Sequence, residues 1–159
     1  MNFYQILNNM ENLRSISYAL SFSILFICCS TNEEDTSTGT NNCATICEYN
    51  LDTSETAANL PNSLDGTYSL AFSKDSQSTN TFYADGVMGE FTIKNNQLTI
   101  TVNGECVTLI NPIQTSAAES SFVNSCGTNF VYSVSMQSNG TLNEINVLSR
   151  SGRFLGQFN

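Results

Sequence analysis

The chain has 159 residues and no His, and its 5 Lys and Arg residues against 14 Asp and Glu residues give a formal net charge of −9. So few cations cannot form the clustered positive surface that binds a phosphate backbone, so nucleic acid is not an expected partner. Because the chain has no His, it lacks the commonest proton shuttle and metal ligand. The sequence also has no phosphate-binding Gly loop, Gly-x-Ser-x-Gly elbow or zinc-protease motif. We therefore expect no enzyme, cofactor or metal site.

The first 28 residues have the organisation of an export signal. A short N-region containing Glu11 and Arg14, for which Met10 is an alternative start, precedes a mostly apolar run over residues 16–27. That run has the length of a signal-peptide core, whereas a membrane-spanning helix takes roughly 20 apolar residues. Residues 1–28 are therefore predicted to be a signal peptide.

Two adjacent cysteines, Cys28 and Cys29, end this apolar run. They resemble the lipobox of bacterial lipoproteins, in which a small residue precedes a cysteine that is diacylated and becomes the new N-terminus. Cleavage before Cys29 places Cys28 in the small-residue position, whereas cleavage before Cys28 places the bulky Ile27 there. The resemblance therefore implies lipidation at Cys29, with Cys28 as the alternative. A simpler interpretation is that both cysteines are only small apolar residues of the signal sequence.

Three acidic residues follow closely: Glu33, Glu34 and Asp35. They resemble the export signal that sends Bacteroidota lipoproteins to the outer face of the outer membrane. The resemblance implies a lipid-anchored protein exposed on the cell surface, with the periplasmic face of the membrane as the alternative. A solvated acidic linker is the other interpretation of the same charges.

Residues 29–63 are rich in Thr, Asn, Ser, Glu and Asp and carry no Lys or Arg. A segment of this composition buries too little apolar surface to repay its own ordering, so a disordered tether is predicted. A flexible tether of 30 residues reaches about 30 Å. The tether also carries Cys43 and Cys47, and export to an oxidising compartment favours disulfide formation.

Four cysteines remain beyond the lipobox, and they allow three pairings that sequence alone cannot distinguish: Cys43, Cys47, Cys106 and Cys126. Cys106 and Cys126 lie symmetrically about residues 115–117, as two residues facing each other across a long antiparallel hairpin would. The favoured pairing is therefore Cys43 with Cys47 and Cys106 with Cys126. A four-cysteine zinc site is the alternative, and the wide spacing between the pairs and the lack of His argue against it.

From residue 64 onward apolar and polar residues alternate, which is the period of a half-buried strand. The alternating apolar groups are Tyr68, Leu70 and Phe72; Phe91 and Ile93; Leu98, Ile100 and Val102; and Phe130, Tyr132, Val134 and Met136. Turn residues separate the runs at 94–97, 103–104, 138–140 and 150–152. With a small-residue loop over residues 115–121, residues 64–159 are predicted to be one all-β domain of about seven or eight strands, either a meander barrel or a β-sandwich.

Residues 64–70 resemble the opening strand of lipocalin-like domains, where a Gly is followed two residues later by an aromatic residue that closes the barrel floor. Gly66 and Tyr68 stand at these positions, with Tyr68 where the lipocalin pattern prefers Trp. The resemblance implies a small meander barrel. An eight-stranded interior is either filled by side chains or holds one small ligand, and the abundance of Phe favours a filled one.

Two functions are compatible with these features. The first is a non-catalytic binding or interaction module on a lipid anchor, in which loop aromatics such as Phe82 and Tyr83 contact an extracellular glycan, peptide or partner protein. The alternative is a lipocalin-like carrier of a small apolar molecule, which requires a cavity of roughly 300 Å³ or more.

Charged residues offer three further candidate sites. Arg150 and Arg153 flank a turn and are either a receptor for an anionic group or solvated cations, the usual case. Two carboxylate pairs are candidates for acid–base chemistry: Asp85 with Glu90, and Glu105 with Glu119. Nothing in the sequence distinguishes these carboxylates from solvated turn residues.

Overall fold

The computed structural model describes residues 43–79 and 82–159. The predicted signal peptide, the lipidation site at Cys29 or Cys28 and the export signal Glu33, Glu34 and Asp35 lie outside the described residues. Among the residues that are described, no helix is long and apolar enough to cross a membrane.

Within the described ranges, ten strands make up almost all of the regular structure. They are β1 (Ile46–Glu48), β2 (Gly66–Lys74), β3 (Met88–Lys94), β4 (Gln97–Val102), β5 (Glu105–Ile110), β6 (Ile113–Ser116), β7 (Glu119–Val123), β8 (Phe130–Met136), β9 (Leu142–Ser149) and β10 (Phe154–Phe158). A short 3-10 helix, Asn62–Leu64, precedes β2. The all-β prediction is confirmed, and the strand count exceeds the predicted seven or eight.

The strands form one open sheet in the order β1-β5-β4-β3-β2-β10-β9-β8-β7-β6. Neighbours are antiparallel except β1, which pairs in parallel with β5. Because β2 pairs with β10, the sheet consists of two meanders joined at this seam. We call β2 to β5 the first half and β6 to β10 the second half.

The alternation seen in the sequence places the apolar residues on one face. Phe91 faces Ile100 and Ile93 faces Leu98 across β3 and β4, and all four side chains are buried. The turns between these strands follow from their Asn and Gly residues, because Asn95, Asn96, Asn103 and Gly104 adopt the positive φ that two-residue hairpins require. This part of the fold agrees with the prediction strand by strand.

One aromatic core joins the two halves. The ring of Phe158 lies 5.0 Å from that of Phe72 and 4.7 Å from that of Phe91, measured between centroids. Phe122 and Tyr132 of the second half belong to the same cluster. Because inward side chains from both halves share it, the sheet curves around this core, and each fully buried aromatic contributes about 1.5–3 kcal/mol.

The predicted loop over residues 115–121 is wrong, because β6 and β7 form a hairpin there. The turn is held by the hydroxyl of Thr115, which donates to the Glu119 carbonyl at 3.0 Å, and by the Ala118 amide, which donates to Ser116 Oγ at 3.2 Å. Ser120 and Ser121 are buried on opposite faces of β7. Small polar residues are typical of loops, but here they are covered by neighbouring chain.

The predicted tether is held against the sheet from Cys43 onward. Its residues form β1 on the edge of β5, and Ala57 forms an antiparallel bridge to Ile113 at the start of β6. Residues 43–63, which we call the bridging segment, therefore belong to the same compact unit as the later strands. Tertiary hydrogen bonds and disulfides offset the conformational entropy that the segment loses on ordering. The segment's own few apolar residues could not do so.

The two disulfides join Cys43 to Cys106 and Cys47 to Cys126, so the favoured pairing is wrong. Four residues of extended chain span about 13 Å, whereas a disulfide holds its Cα atoms about 4.4–6.8 Å apart. The parallel course of β1 instead brings Cys43 to the start of β5 and Cys47 to the loop after β7. Cys106 and Cys126 do not face each other because β6 and β7 pair with each other between them.

Candidate functional site

Two clefts open on opposite faces of the sheet. The outer cleft, of about 420 Å³, is lined by outward side chains of the second half and by part of the bridging segment, including Tyr49, Glu55, Val131 and Arg150. The inner cleft, of about 160 Å³, lies at one end of the core.

The floor of the outer cleft is a row of apolar side chains that crosses three strands. Val123 of β7 faces Val131 of β8, which in turn faces Leu148 of β9. Val123 is buried, and the other two are half-buried. The solvent face of an antiparallel sheet is normally polar. This apolar row is an exception, and it forms the floor of the cleft.

Beside this row lies a chain of buried hydroxyls. The hydroxyls of Ser121 and Ser133 lie 3.0 Å apart, and Ser133 donates to Glu119 Oε1 at 2.6 Å. Ser133 lines the cleft but is only 2% exposed, and its hydroxyl is engaged with Ser121 and Glu119. The Ser133–Glu119 pair fixes the Glu119 carboxylate at the cleft.

One wall of the cleft comes from the bridging segment. The hydroxyl of Tyr49 donates to Glu55 Oε1 at 3.2 Å, and the Asp52 amide donates to Glu55 Oε2 at 2.8 Å. Partial burial, then the hydrogen bond and the negative charge of Glu55, raise the pKa of Tyr49 above its usual 10.0, against a smaller opposing effect of Arg150. The phenol therefore stays protonated at neutral pH and orders this wall.

The two arginines do not form a joint anion site. Arg150 lines the outer cleft, whereas the guanidinium of Arg153 donates to the Gln77 carbonyl at 2.9 Å, in the loop after β2. Arg150 is the one cation among the described residues that line the outer cleft, which also has the carboxyl groups of Asp52, Glu55 and Glu119. The cleft is therefore acidic overall, with a single strong donor.

The structure separates the members of one of the two candidate carboxylate pairs. Glu105 lines the inner cleft and Glu119 the outer one. Asp85 accepts a hydrogen bond of 2.9 Å from the Lys74 amide and so ties the loop after β2 to the end of that strand. No group of three or more His, Cys, Asp or Glu side chains in the described ranges is placed to hold a metal ion.

The predicted pair of loop aromatics is divided between surface and core. Phe82 is 43% exposed and packs edge-on against Phe130, with centroids 4.9 Å apart. Tyr83 is 6% exposed and contacts the rings of Phe72 and Phe158. Of the two, Phe82 alone presents a ring to solvent, at the rim of the inner cleft.

At the inner cleft the side chains of Ile100, Val102 and Val107 form apolar walls. Tyr83 and Tyr132 close the inner end, with their hydroxyl oxygens 2.7 Å apart. Burial is the main cause that raises the pKa of both phenols, well above 10.0 in the case of Tyr132. Both hydroxyls therefore stay protonated and neutral through the physiological range.

The outer cleft was missed at the sequence level, although a signal was present. Three neighbouring strands, β7, β8 and β9, each carry two adjacent apolar residues where strict alternation would place one: Phe122-Val123, Phe130-Val131 and Val147-Leu148, as also occurs at Leu109-Ile110 and Phe154-Leu155. The second residue of each pair lines the floor of the outer cleft: Val123, Val131 and Leu148. Adjacent apolar residues on three paired strands indicate that both faces are covered or used.

Comparison with known proteins finds no family model that matches this chain, and no curated protein or solved structure that matches it. A function can therefore be inferred only from the geometry of the two clefts and from the residues that line them.

Proposed function

We propose that this protein is a non-catalytic binding module, lipid-anchored through Cys29 on the outer membrane and exposed at the cell surface, whose outer cleft binds an extracellular ligand. The outer cleft carries the proposal. Its volume of about 420 Å³, its apolar floor and its few converging polar groups match the size and composition of small-ligand sites.

A lipocalin-like barrel is the finer architecture that we propose for the curved sheet. Two observations support it: β2 and β10 pair at the seam, and the bridging segment contacts both β5 and β6. In such a barrel the bridging segment occupies the place where β5 and β6 would otherwise pair directly.

The chemistry of the outer cleft fits a hydroxyl-rich ligand such as a glycan. Val131 and Leu148 offer a surface for the C–H face of a sugar ring, Asp52 and Glu119 offer acceptors for hydroxyl protons, and Arg150 offers a donor. Three carboxyl groups against one guanidinium oppose an anionic ligand by like-charge repulsion.

The carrier alternative finds less support. A carrier requires an empty apolar interior of roughly 300 Å³ or more, and the interior between the two halves is occupied by Phe72, Phe91, Phe122, Tyr132 and Phe158. The inner cleft, at about 160 Å³, is smaller than that requirement.

A glycan array followed by saturation-transfer NMR on the detergent-purified lipoprotein tests the ligand proposal. We expect saturable binding of one glycan class that weakens at least tenfold in Arg150→Ala and in Val131→Glu. Arg153→Ala is the matched control, because this arginine lies three residues away and does not line the cleft, and its affinity should stay unchanged. Glycan binding that neither cleft variant weakens would contradict the proposal, as would selective capture of cationic peptides.

Intact-protein and peptide mass spectrometry, with protease shaving of whole cells, tests the anchor separately. We expect an acylated N-terminal Cys29 and loss of the domain on shaving. An unmodified cysteine, or full protection from protease, would remove the anchor and the surface location from the proposal.

A further inference from the structure

The tyrosine pair at the inner cleft has one buried proton for which the described residues provide no acceptor. Tyr83 and Tyr132 are 6% and 2% exposed, and their hydroxyls share one hydrogen bond of 2.7 Å. In such a pair one proton lies between the two oxygens, and the other needs a further acceptor. Among the described residues neither hydroxyl has another hydrogen-bond partner. A buried donor without an acceptor is rare and costly.

The cleft beside this pair has the size for one small molecule. Both tyrosines line it, its volume is about 160 Å³, and its side walls are the apolar Ile100, Val102 and Val107. An enclosed protein cavity of about 150 Å³ is large enough to bind benzene. A ligand of six to nine non-hydrogen atoms therefore fits these walls.

Charge restricts the ligand to neutral molecules. Glu105 lines the cleft and is exposed, and no Lys or Arg belongs to the lining that the structure describes. An anion would meet the carboxylate without a compensating cation, while the apolar walls disfavour a solvated ammonium group. The site therefore offers apolar side walls beside the hydroxyl donor of the tyrosine pair, in a cleft open to solvent whose lining also includes the polar Thr45, Asn124 and Thr128.

We infer that the inner cleft binds one small neutral molecule, about the size of a substituted benzene, whose carbonyl or ether oxygen accepts the free proton of the Tyr83–Tyr132 pair. This site is separate from the outer cleft and does not depend on the function proposed there. The pair is a specificity element, because either hydroxyl can deliver the proton while the other accepts.

Two probes of matching shape test the inference on the detergent-purified full-length lipoprotein: acetophenone, which has a carbonyl oxygen, and α-methylstyrene, which has a CH₂ group in its place. We expect both to bind saturably. The double variant Tyr83→Phe/Tyr132→Phe should weaken acetophenone about three- to tenfold, the value of one neutral hydrogen bond, and leave α-methylstyrene unchanged. Each single variant should keep most of the acetophenone affinity, because the remaining hydroxyl has its own proton to donate.

Three controls separate this role from a structural one. Tyr68→Phe removes a hydroxyl that bonds the Leu64 carbonyl outside the cleft, and Arg150→Ala alters the outer cleft, so neither should change either affinity. Val107→Phe fills the cleft and should abolish binding of both probes, even if the double variant does not fold. The inference is overturned if acetophenone does not bind the unmodified protein, if Val107→Phe leaves binding intact, or if the double variant weakens both probes equally.

Discussion

The two halves of the sheet have similar inner faces and different outer faces. The first half carries hydroxyl pairs on its outer face, such as Thr67 with Thr92 and Thr99 with Thr108, each 2.9 Å apart. The second half carries the apolar row of the outer cleft and the buried Ser133. A sheet face that stays in water needs only polar residues. The second half departs from this rule, and its outer face is where we place the ligand of the outer cleft.

Truncating a core side chain on the inner face should cause the largest loss of stability, and the loss should be similar in the two halves. Phe91→Ala in the first half and Phe122→Ala in the second each remove a fully buried ring and should lower the free energy of unfolding by about 3–5 kcal/mol. Guanidinium denaturation measures both. A much smaller loss for Phe122→Ala would mean that the second half is packed more loosely and would break the comparison.

The disulfides should come next, at about 2–4 kcal/mol for each pair removed. Their sequence separations of 63 and 79 residues are close, so the loop-closure contributions should be nearly equal. Of the two disulfides, Cys47–Cys126 is the one that links β1 to the loop after β7, so Cys47→Ser/Cys126→Ser should also speed amide exchange at residues 124–128. Cys43→Ser/Cys106→Ser is the matched control, and a peptide cross-linking Cys43 to Cys47 would refute the arrangement.

The tyrosine pair predicts a loss of stability in alkali. The folded state holds the pKa of Tyr83 and Tyr132 above 10.0, so above about pH 10 the unfolded chain binds fewer protons than the folded one. The stability that the protonated pair contributes is fully present below about pH 10. It is lost as the pH rises further, by up to about 1.4 kcal/mol per pH unit for each hydroxyl. Urea unfolding between pH 8 and 11.5 measures it, and Tyr132→Phe should flatten the slope; an unchanged slope would refute the assignment.

The outer faces should give the smallest effects and the clearest contrast. Ser133→Ala leaves Glu119 and Ser121 without a buried partner and should cost about 1–3 kcal/mol. Thr67→Ala removes an exposed hydroxyl pair in the first half and should cost no more than about 0.5 kcal/mol. Thermal or urea unfolding of both variants is sufficient. Equal costs would show that the second half has no special outer face.

The all-β class and the hairpins could be predicted because they depend on local signals. Alternation over residues 91–102 and positive φ at Asn95, Asn96 and Asn103 require no knowledge of distant residues. The disulfide pairing could not be predicted in this way, because it follows from the parallel contact of β1 with β5, some 60 residues away in sequence. The same contact explains why an acidic, polar segment is ordered at all.

The binding sites were predictable only in outline. Phe82 and Tyr83 were predicted to contact a ligand from a loop, but sequence could not show that the Phe82 ring is exposed while the buried Tyr83 bonds Tyr132. The outer cleft depends on Tyr49 and Arg150, which are a hundred residues apart and meet only because the bridging segment lies along the sheet. Long-range placement of this kind leaves little local trace.

The Cys43–Cys106 bond also determines how the domain bears mechanical load. Tension arriving along the chain ahead of Cys43 passes through sulfur into β5, which is hydrogen-bonded on both sides, to β1 and β4. The tension bypasses the three-residue edge strand β1, so forced unfolding cannot begin by peeling β1 away from β5. Forced unfolding is governed by the height of the barrier to the first rupture, so the domain gains mechanical resistance from a covalent bond that a reducing environment would remove.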